Sequence, residues 1–126
     1  MTGGVGTINT PDVPDPKGHY SHATTCSDLI FLSGQLPDAS IGADASFETQ
    51  VRSALGQLLA VLRAAGSTPA DLLKVTAYLV GVERWPEFNA IYADIIGAAK
   101  PARTVVPVSA LHYGWLIELD AVAVRF

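Results

Sequence analysis

The sequence predicts a single α+β domain in which two helices pack on one face of a β-sheet. A length of 126 residues suits one hydrophobic core. Apolar residues follow strand-like and helix-like periods in the order β-β-α-β-α-β-β. Two helices are too few to cover both faces of such a sheet, so we expect them to share a face. Hydrophobic residues make up 49% of the chain and charged residues 16%, which indicates a well-buried or self-associating protein.

The first 17 residues differ in composition from the rest. They are rich in Gly, Thr and Pro and include TPDVPDPKG. This composition predicts a flexible N-terminal arm over residues 1–17, followed by one domain over residues 18–126. The start lacks the basic and apolar segments of a signal peptide, and no apolar run approaches the roughly 20 residues needed to span a bilayer. We therefore expect a cytoplasmic protein.

The first two predicted strands form a hairpin. The apolar run LIFLSGQL over residues 29–36 is typical of a strand, and YSHATT before it can pair with it across a turn at residues 26–28. Gly34 lies inside the second strand. A glycine there predicts a β-bulge or a close backbone approach.

The first helix is predicted from seven apolar residues at helical spacing: Phe47, Val51, Ala54, Leu55, Leu58, Leu62 and Ala65. Ser46 or Asp44 can cap its start, and Gly66 ends it. Gly56 inside the helix costs about 1 kcal/mol relative to alanine. We expect close packing at that point as the reason for it.

The remaining elements follow in order. Residues 72–80 (LLKVTAYLV) predict a strand, and Pro86 and Gly97 mark the start and end of a second helix. Residues 102–108 and 115–124 predict two closing strands. In the last of them one face is wholly apolar, whereas the other mixes apolar and acidic residues: Leu116, Glu118, Asp120, Val122 and Val124. Such a face predicts a partner, most simply a second copy of the chain.

Several kinds of site are poorly supported by the sequence. The single cysteine, Cys26, excludes an intrachain disulfide and is predicted to be a small buried residue, because only His22 lies near it as a base. The histidines lack metal-ligand spacing and are predicted to be polar loop residues, so we expect no metal. No phosphate or dinucleotide loop follows a strand. A net charge of -4 disfavours nucleic acid as a partner.

Arg103 and Glu118, each on a predicted closing strand, are the candidate functional pair. One interpretation is a structural ion pair. The other is a site in which the arginine holds a substrate carboxylate by its two-pronged fork and the glutamate orients or activates water. Spacing alone favours the structural pair, since paired charges on strands are common.

Motifs along nearly the whole chain from His19 onward resemble those of the Rid (reactive intermediate deaminase, or YjgF) family. In order, they are GHYSHA, FLSGQLP, AAGSTPADLLKVTAYL, FNAIYADI, KPARTVVPV and IELDAVAV. The resemblance implies a chorismate-mutase-like fold with a mixed sheet, and a homotrimer with sites in clefts between subunits. It also implies cofactor-free hydrolysis of reactive enamines and imines to keto acids and ammonia.

The resemblance assigns roles to individual residues. It implies that Arg103 binds the substrate carboxylate, that Glu118 positions water, and that Tyr20 reaches the site from the partner side. Ser33 and Asn89 match motif positions near the pocket. The chemistry is consistent, because fixing the carboxylate bidentately presents the neighbouring electrophilic carbon in one orientation.

Three residues depart from the family's pattern. Val105 stands where many deaminases have cysteine, and His19 and His112 replace two of the family's prolines. We expect these three changes, at His19, Val105 and His112, to alter the pocket rim and substrate choice. An aminomuconate-type deaminase in a catabolic pathway is therefore an alternative to a deaminase of small enamines. A non-catalytic, regulatory trimer that binds small carboxylates is a second, and the ribonuclease activity ascribed to some relatives is a third.

Overall fold

A computed structural model describes residues 4–126. Within that range the strands are β1 Gly6–Ile8, β2 Ala23–Cys26, β3 Leu29–Gln35, β4 Leu72–Val80, β5 Ala102–Val108 and β6 Ile117–Val124. The helices are α1 Phe47–Ala64 and α2 Trp85–Ile96. No helix in this range is long and apolar enough to cross a membrane.

The strands form one six-stranded sheet in the order β1-β2-β3-β6-β4-β5. Strands β4 and β5 run parallel, because the chain crosses over through α2 between them. The remaining neighbours are antiparallel. The predicted α+β architecture with a mixed sheet is therefore confirmed, with one more strand than predicted.

Both helices cover the same face of the sheet, as expected. Helix α1 packs on β3 and β6 and also contacts α2. In β6 the buried positions facing this layer are Ile117, Leu119, Ala121 and Ala123. These side chains alternate with the mixed face, so the two faces predicted from the sequence are the two faces of the structure.

The boundaries of α1 follow local chemistry. The Ser46 hydroxyl accepts a hydrogen bond from the Thr49 amide at 3.1 Å, which caps the first turn. Gly66 follows the last turn with φ +84°, a conformation that glycine adopts without strain. Gly56 differs from the prediction. A Cβ there would meet no atom within 4 Å, so nothing packs closely against it within one chain.

Residues 6–13 are part of the domain, which differs from the predicted arm; residues 1–3 of that arm lie outside the described range. Strand β1 pairs with β2 in antiparallel register, and Val13 is only 5% exposed. His22, 2% exposed, accepts a hydrogen bond from the Thr10 amide at 3.0 Å and donates one to the Pro14 carbonyl at 2.9 Å. His22 is on the loop before β2, as predicted, but it is buried and its two hydrogen bonds hold the N-terminal segment against the domain. A three-residue strand is too short to show a period in the sequence.

The face of the sheet opposite the helices is uncovered in one chain. Phe31 on β3 is 45% exposed and lies opposite Val122 on β6, and Leu29 lies opposite Val124. Cys26, at the end of β2, is exposed, so its predicted burial is wrong. The hairpin turn that follows it places Ser27 at φ 53°.

Candidate functional site

Glu118 lies on the uncovered face of the sheet, near the start of the central strand β6. On β6 it is in register with Tyr78 of β4. On the other side, a Cβ built on Gly34 of β3 would stand 2.5 Å from the Glu118 Oε2 atom. Pairing between β3 and β6 also shifts register between Leu32 and Gln35. The register shift agrees with the predicted bulge, and the group that approaches Gly34 closely is the Glu118 carboxylate, for which glycine leaves room.

A cleft of about 810 Å³ opens beside this carboxylate and is called the glutamate cleft. Tyr20, Ser33, His112 and Trp115 line it together with Glu118. The Ser33 hydroxyl donates to the Ser21 carbonyl at 2.6 Å, which fixes its orientation. Tyr20 also lines the cleft and is 51% exposed. This cleft brings together the carboxylate and the tyrosine that the sequence singled out.

The surroundings of Glu118 favour its protonated form. Partial burial raises the pKa of this carboxyl, and the negative charge of Asp120 on the same face raises it further. A positive charge on His112 acts in the opposite direction and lowers that pKa. A raised pKa makes the Glu118 carboxylate a stronger base toward water or substrate than an ordinary glutamate.

Arg103 lies on the other side of the sheet. On β5 it is in register with Val75 of β4, whose side chain faces the helices. Its guanidinium carbon stands 4.8 Å from the ring centroid of Tyr92 and 5.6 Å from that of Phe88, both on α2. Among residues 4–126 it forms no ion pair, since both ion pairs found there belong to Arg52. The donors of the Arg103 fork are free for a ligand.

A second cleft, of about 360 Å³, lies at Arg103 and is called the arginine cleft. Helix α2 and the segment before β5 form its walls; the lining residues are Asn89, Tyr92, Ala93, Ile96, Gly97, Ala99, Lys100, Pro101 and Arg103. Two of them are cationic and none is acidic. The cleft is therefore electrostatically suited to an anion.

The structural ion pair between Arg103 and Glu118 is wrong within one chain, because the two residues belong to opposite faces of the sheet. The candidate residues fall into two groups instead. Arg103 and Asn89 line the arginine cleft, whereas Tyr20, Ser33 and Glu118 line the glutamate cleft. A single copy of the chain does not place the arginine and the glutamate at one small molecule.

Two of the expected rim residues line neither cleft. His19 is exposed on the segment before β2. Val105 is in register with Ala77 and packs against the core. Sequence reasoning also missed Tyr92, which the helical period places on the apolar stripe of α2. The signal for it was a hydroxyl-bearing side chain three residues after Asn89, on the same side of the helix.

Metal ligation has no support in the part of the chain that the structure describes. There, no three His, Cys, Asp or Glu side chains lie close enough together to hold an ion.

Residues 10–125 match the family described as Endoribonuclease L-PSP. A RutC family protein of Pyrococcus horikoshii is 37% identical over 121 residues, 94% of this chain and 96% of that protein. The chloroplastic Reactive Intermediate Deaminase A of Arabidopsis thaliana is 31% identical over 92% of this chain and 64% of its own length. The crystal structure of E. coli TdcF with bound serine superposes with a TM-score of 0.87 at 28% identity, covering 96% of this chain and 99% of TdcF.

Proposed function

The chain belongs to the Endoribonuclease L-PSP family, whose members include a reactive intermediate deaminase, and from this premise we propose that it hydrolyses reactive enamine or imine acids to keto acids and ammonia. Membership confirms the resemblance to the Rid family drawn from the sequence motifs. The reaction itself, the substrate and the roles of the residues belong to the proposal.

The observation that carries the proposal is the unpaired guanidinium of Arg103 in a cleft lined by no acidic residue. A planar guanidinium binds a carboxylate through two parallel hydrogen bonds, which fixes both position and orientation. TdcF, a structural neighbour, holds serine, which carries a carboxylate. A 2-imino acid held in this way has its electrophilic carbon directly beside the anchored group.

The chemistry needs water and proton transfer. Water adds to the carbon of the C=N bond, a proton moves to the nitrogen, and the C–N bond of the resulting carbinolamine breaks to release ammonia and leave a C=O group. An enamine first takes a proton on carbon to become the imine. Glu118, whose pKa is raised by burial, can accept a proton from the attacking water and return it to the leaving nitrogen. This sequence calls for no cofactor and no metal.

Arg103 and Glu118 can meet at one substrate only if different copies of the chain supply them. We therefore include in the proposal a homotrimer with shared sites, the assembly that the Rid resemblance implies. The uncovered sheet face with Phe31 and Val122 and the unpaired edge of β5 are surfaces that such an assembly would cover. Contact between two different patches is heterologous, and such contacts form a closed ring when three copies complete a full rotation.

The test follows ammonia and keto acid released from imines that an amino-acid oxidase generates in the assay. Wild-type protein should accelerate release, and Arg103→Lys should lose roughly tenfold to a hundredfold in efficiency because lysine offers a point charge in place of a fork. Arg63→Lys, on the exposed last turn of α1, is the matched control and should behave as wild type. Wild-type release no faster than the uncatalysed rate, or full activity in Arg103→Lys, would contradict the proposal.

The same preparation separates the alternatives. A regulatory trimer would bind keto acid without accelerating release. An aminomuconate-type deaminase would prefer an unsaturated dicarboxylate enamine in the substrate panel. RNA cleavage, which the family's description names, is measured on metal-free, repurified protein; a net charge of -4 opposes it. The cytoplasmic location expected from the sequence stays part of the proposal.

A further inference from the structure

Two aromatic rings lie beneath the guanidinium of Arg103. Phe88 and Tyr92 are one turn apart on α2, and their ring centroids are 5.6 Å apart with the planes tilted by 46°. The guanidinium carbon is 4.8 Å from the Tyr92 centroid and 5.6 Å from the Phe88 centroid. A cation at these distances is attracted by the electron-rich ring faces. We call the two rings the aromatic shelf.

The aromatic shelf orients the Arg103 guanidinium, which no ion pair in the described residues does. No carboxylate among the described residues pairs with Arg103, so no salt bridge fixes its plane. An arginine side chain without such a partner has many rotamers, and ordering it on binding costs affinity. A flat guanidinium resting on a ring keeps one plane while its edge, which carries the donors, stays free.

Tyr92 is the member of the shelf that faces the ligand. It lines the arginine cleft together with Asn89 and Arg103, whereas Phe88 is fully buried in the core and does not. The Tyr92 hydroxyl is the one buried side-chain polar atom in residues 4–126 without a hydrogen-bond partner. Burying this hydroxyl without a partner costs stability, and no described residue gives it a hydrogen-bonding role, so the ring is the part of Tyr92 that acts on Arg103.

From this geometry we infer that Tyr92 is a positioning residue: its ring holds the Arg103 guanidinium in the plane that presents both donors to a substrate carboxylate. This inference deepens the proposed function and rests on it. The ring carries the effect, and the hydroxyl does not. Variants that separate ring from hydroxyl therefore test it.

The test measures binding of pyruvate, an inert 2-keto acid, by calorimetry, together with kcat and KM for imine hydrolysis. Tyr92→Leu removes the ring but keeps a buried apolar side chain. It should weaken pyruvate binding about tenfold, the loss expected when one charge-assisted hydrogen bond is no longer aligned, and raise KM more than it lowers kcat. Tyr92→Phe keeps the ring and should bind pyruvate as wild type does, with a melting temperature equal or higher.

A second arginine that lies over a buried ring, outside both clefts, provides a matched control. Arg84 lies 5.4 Å from the ring centroid of Phe47, which is 6% exposed against 7% for Tyr92. Phe47→Leu removes an equally buried ring beneath an arginine outside both clefts. It should lower the melting temperature without changing pyruvate binding.

The outcomes distinguish the positioning role of Tyr92 from the proposed function. If Arg103→Lys binds pyruvate as tightly as wild type, the proposed function loses its carboxylate site, whatever Tyr92 does. If Arg103→Lys loses binding but Tyr92→Leu keeps it, only the positioning role is overturned. Equal loss in Tyr92→Phe and Tyr92→Leu would also overturn it, because the hydroxyl would then carry the effect. Should Tyr92→Leu not fold, Tyr92→Met replaces it with the same expectation.

Discussion

At the scale of single residues, Glu118 is the group whose surroundings most affect its chemistry. Its pKa is raised above the ordinary value, first by burial and then by Asp120. Between the ordinary and the raised pKa the folded protein binds the proton more tightly than the unfolded chain does. This carboxyl therefore adds stability as pH falls through its raised pKa, and the contribution is lost as pH rises through it.

Glu118→Gln should consequently raise the stability of the protein at neutral pH and lower the rate of imine hydrolysis. The stability of the variant should also depend less on pH between the ordinary and the raised pKa of Glu118. Glutamine keeps the shape and hydrogen-bonding reach but removes the buried negative charge. Melting temperatures from pH 4 to pH 8 and hydrolysis rates on the same samples check both effects. Lower stability of the variant at neutral pH would show that a partner group stabilises the carboxylate.

His112 tunes the same carboxyl. Its positive charge lowers the pKa of Glu118, so removing it leaves the effects of burial and Asp120 unopposed. In His112→Ala the acid limb of the pH–rate profile should move to higher pH, because Glu118 would lose its charge earlier as pH falls. His19→Ala is the control, since His19 is exposed and lines neither cleft. If the acid limb does not move, His112 does not set the pKa of Glu118.

The sequence singled out Arg103 and Glu118 as candidates, but it did not predict that they lie on opposite faces of the sheet. Alternation along a strand does not say which of its faces meets the helices. That choice depends on register: Arg103 pairs with Val75 through a parallel crossover, and Glu118 with Tyr78 through an antiparallel pairing. The sequence did not point to Tyr92 as a cleft residue, because its spacing matches the buried apolar residues of α2.

At the scale of elements, the sequence predicts those helices and strands that have a clear hydrophobic period or a capping residue. The predicted strand over residues 72–80 and the glycines that end both helices agree with the structure, since each carries a local signal. Strand β1 carries none, because three residues gain their hydrogen bonds only from an edge of β2 that exists after folding. The segment from Thr10 to Pro14 likewise depends on His22, a distant side chain.

Two glycines of α1 give a paired test of this element. Gly56 lies in the helix interior with open space around it, so Gly56→Ala should stabilise the protein by about 1 kcal/mol through helix propensity. Gly66 also has open space but stands at φ +84°, so Gly66→Ala should destabilise it. Chemical denaturation measures both. A loss of stability in Gly56→Ala would indicate that another copy of the chain packs on this side of α1.

At the scale of the whole molecule, the uncovered sheet face is the surface that the proposed trimer would cover. Val122 on β6 lies between Phe31 on β3 and Lys74 on β4, at the centre of this face. Val122→Asp should place a charge in the proposed interface and weaken association, because burying an unpaired charge costs several kcal/mol. Analytical ultracentrifugation should show a trimer for wild type and dissociation for the variant. A stable wild-type monomer of 13.2 kDa would refute the trimer.

The shared site is tested by mixing two defective chains. Tyr20 lines the glutamate cleft and Arg103 the arginine cleft, so a site between copies takes one residue from each. Tyr20→Phe and Arg103→Ala proteins should each be weak alone. In trimers reassembled from an equal mixture, about one interface in four joins a native Tyr20 to a native Arg103, and about a quarter of wild-type activity should return. If both residues acted within one chain, every site would lack one of them, and verified mixed trimers would show no recovery.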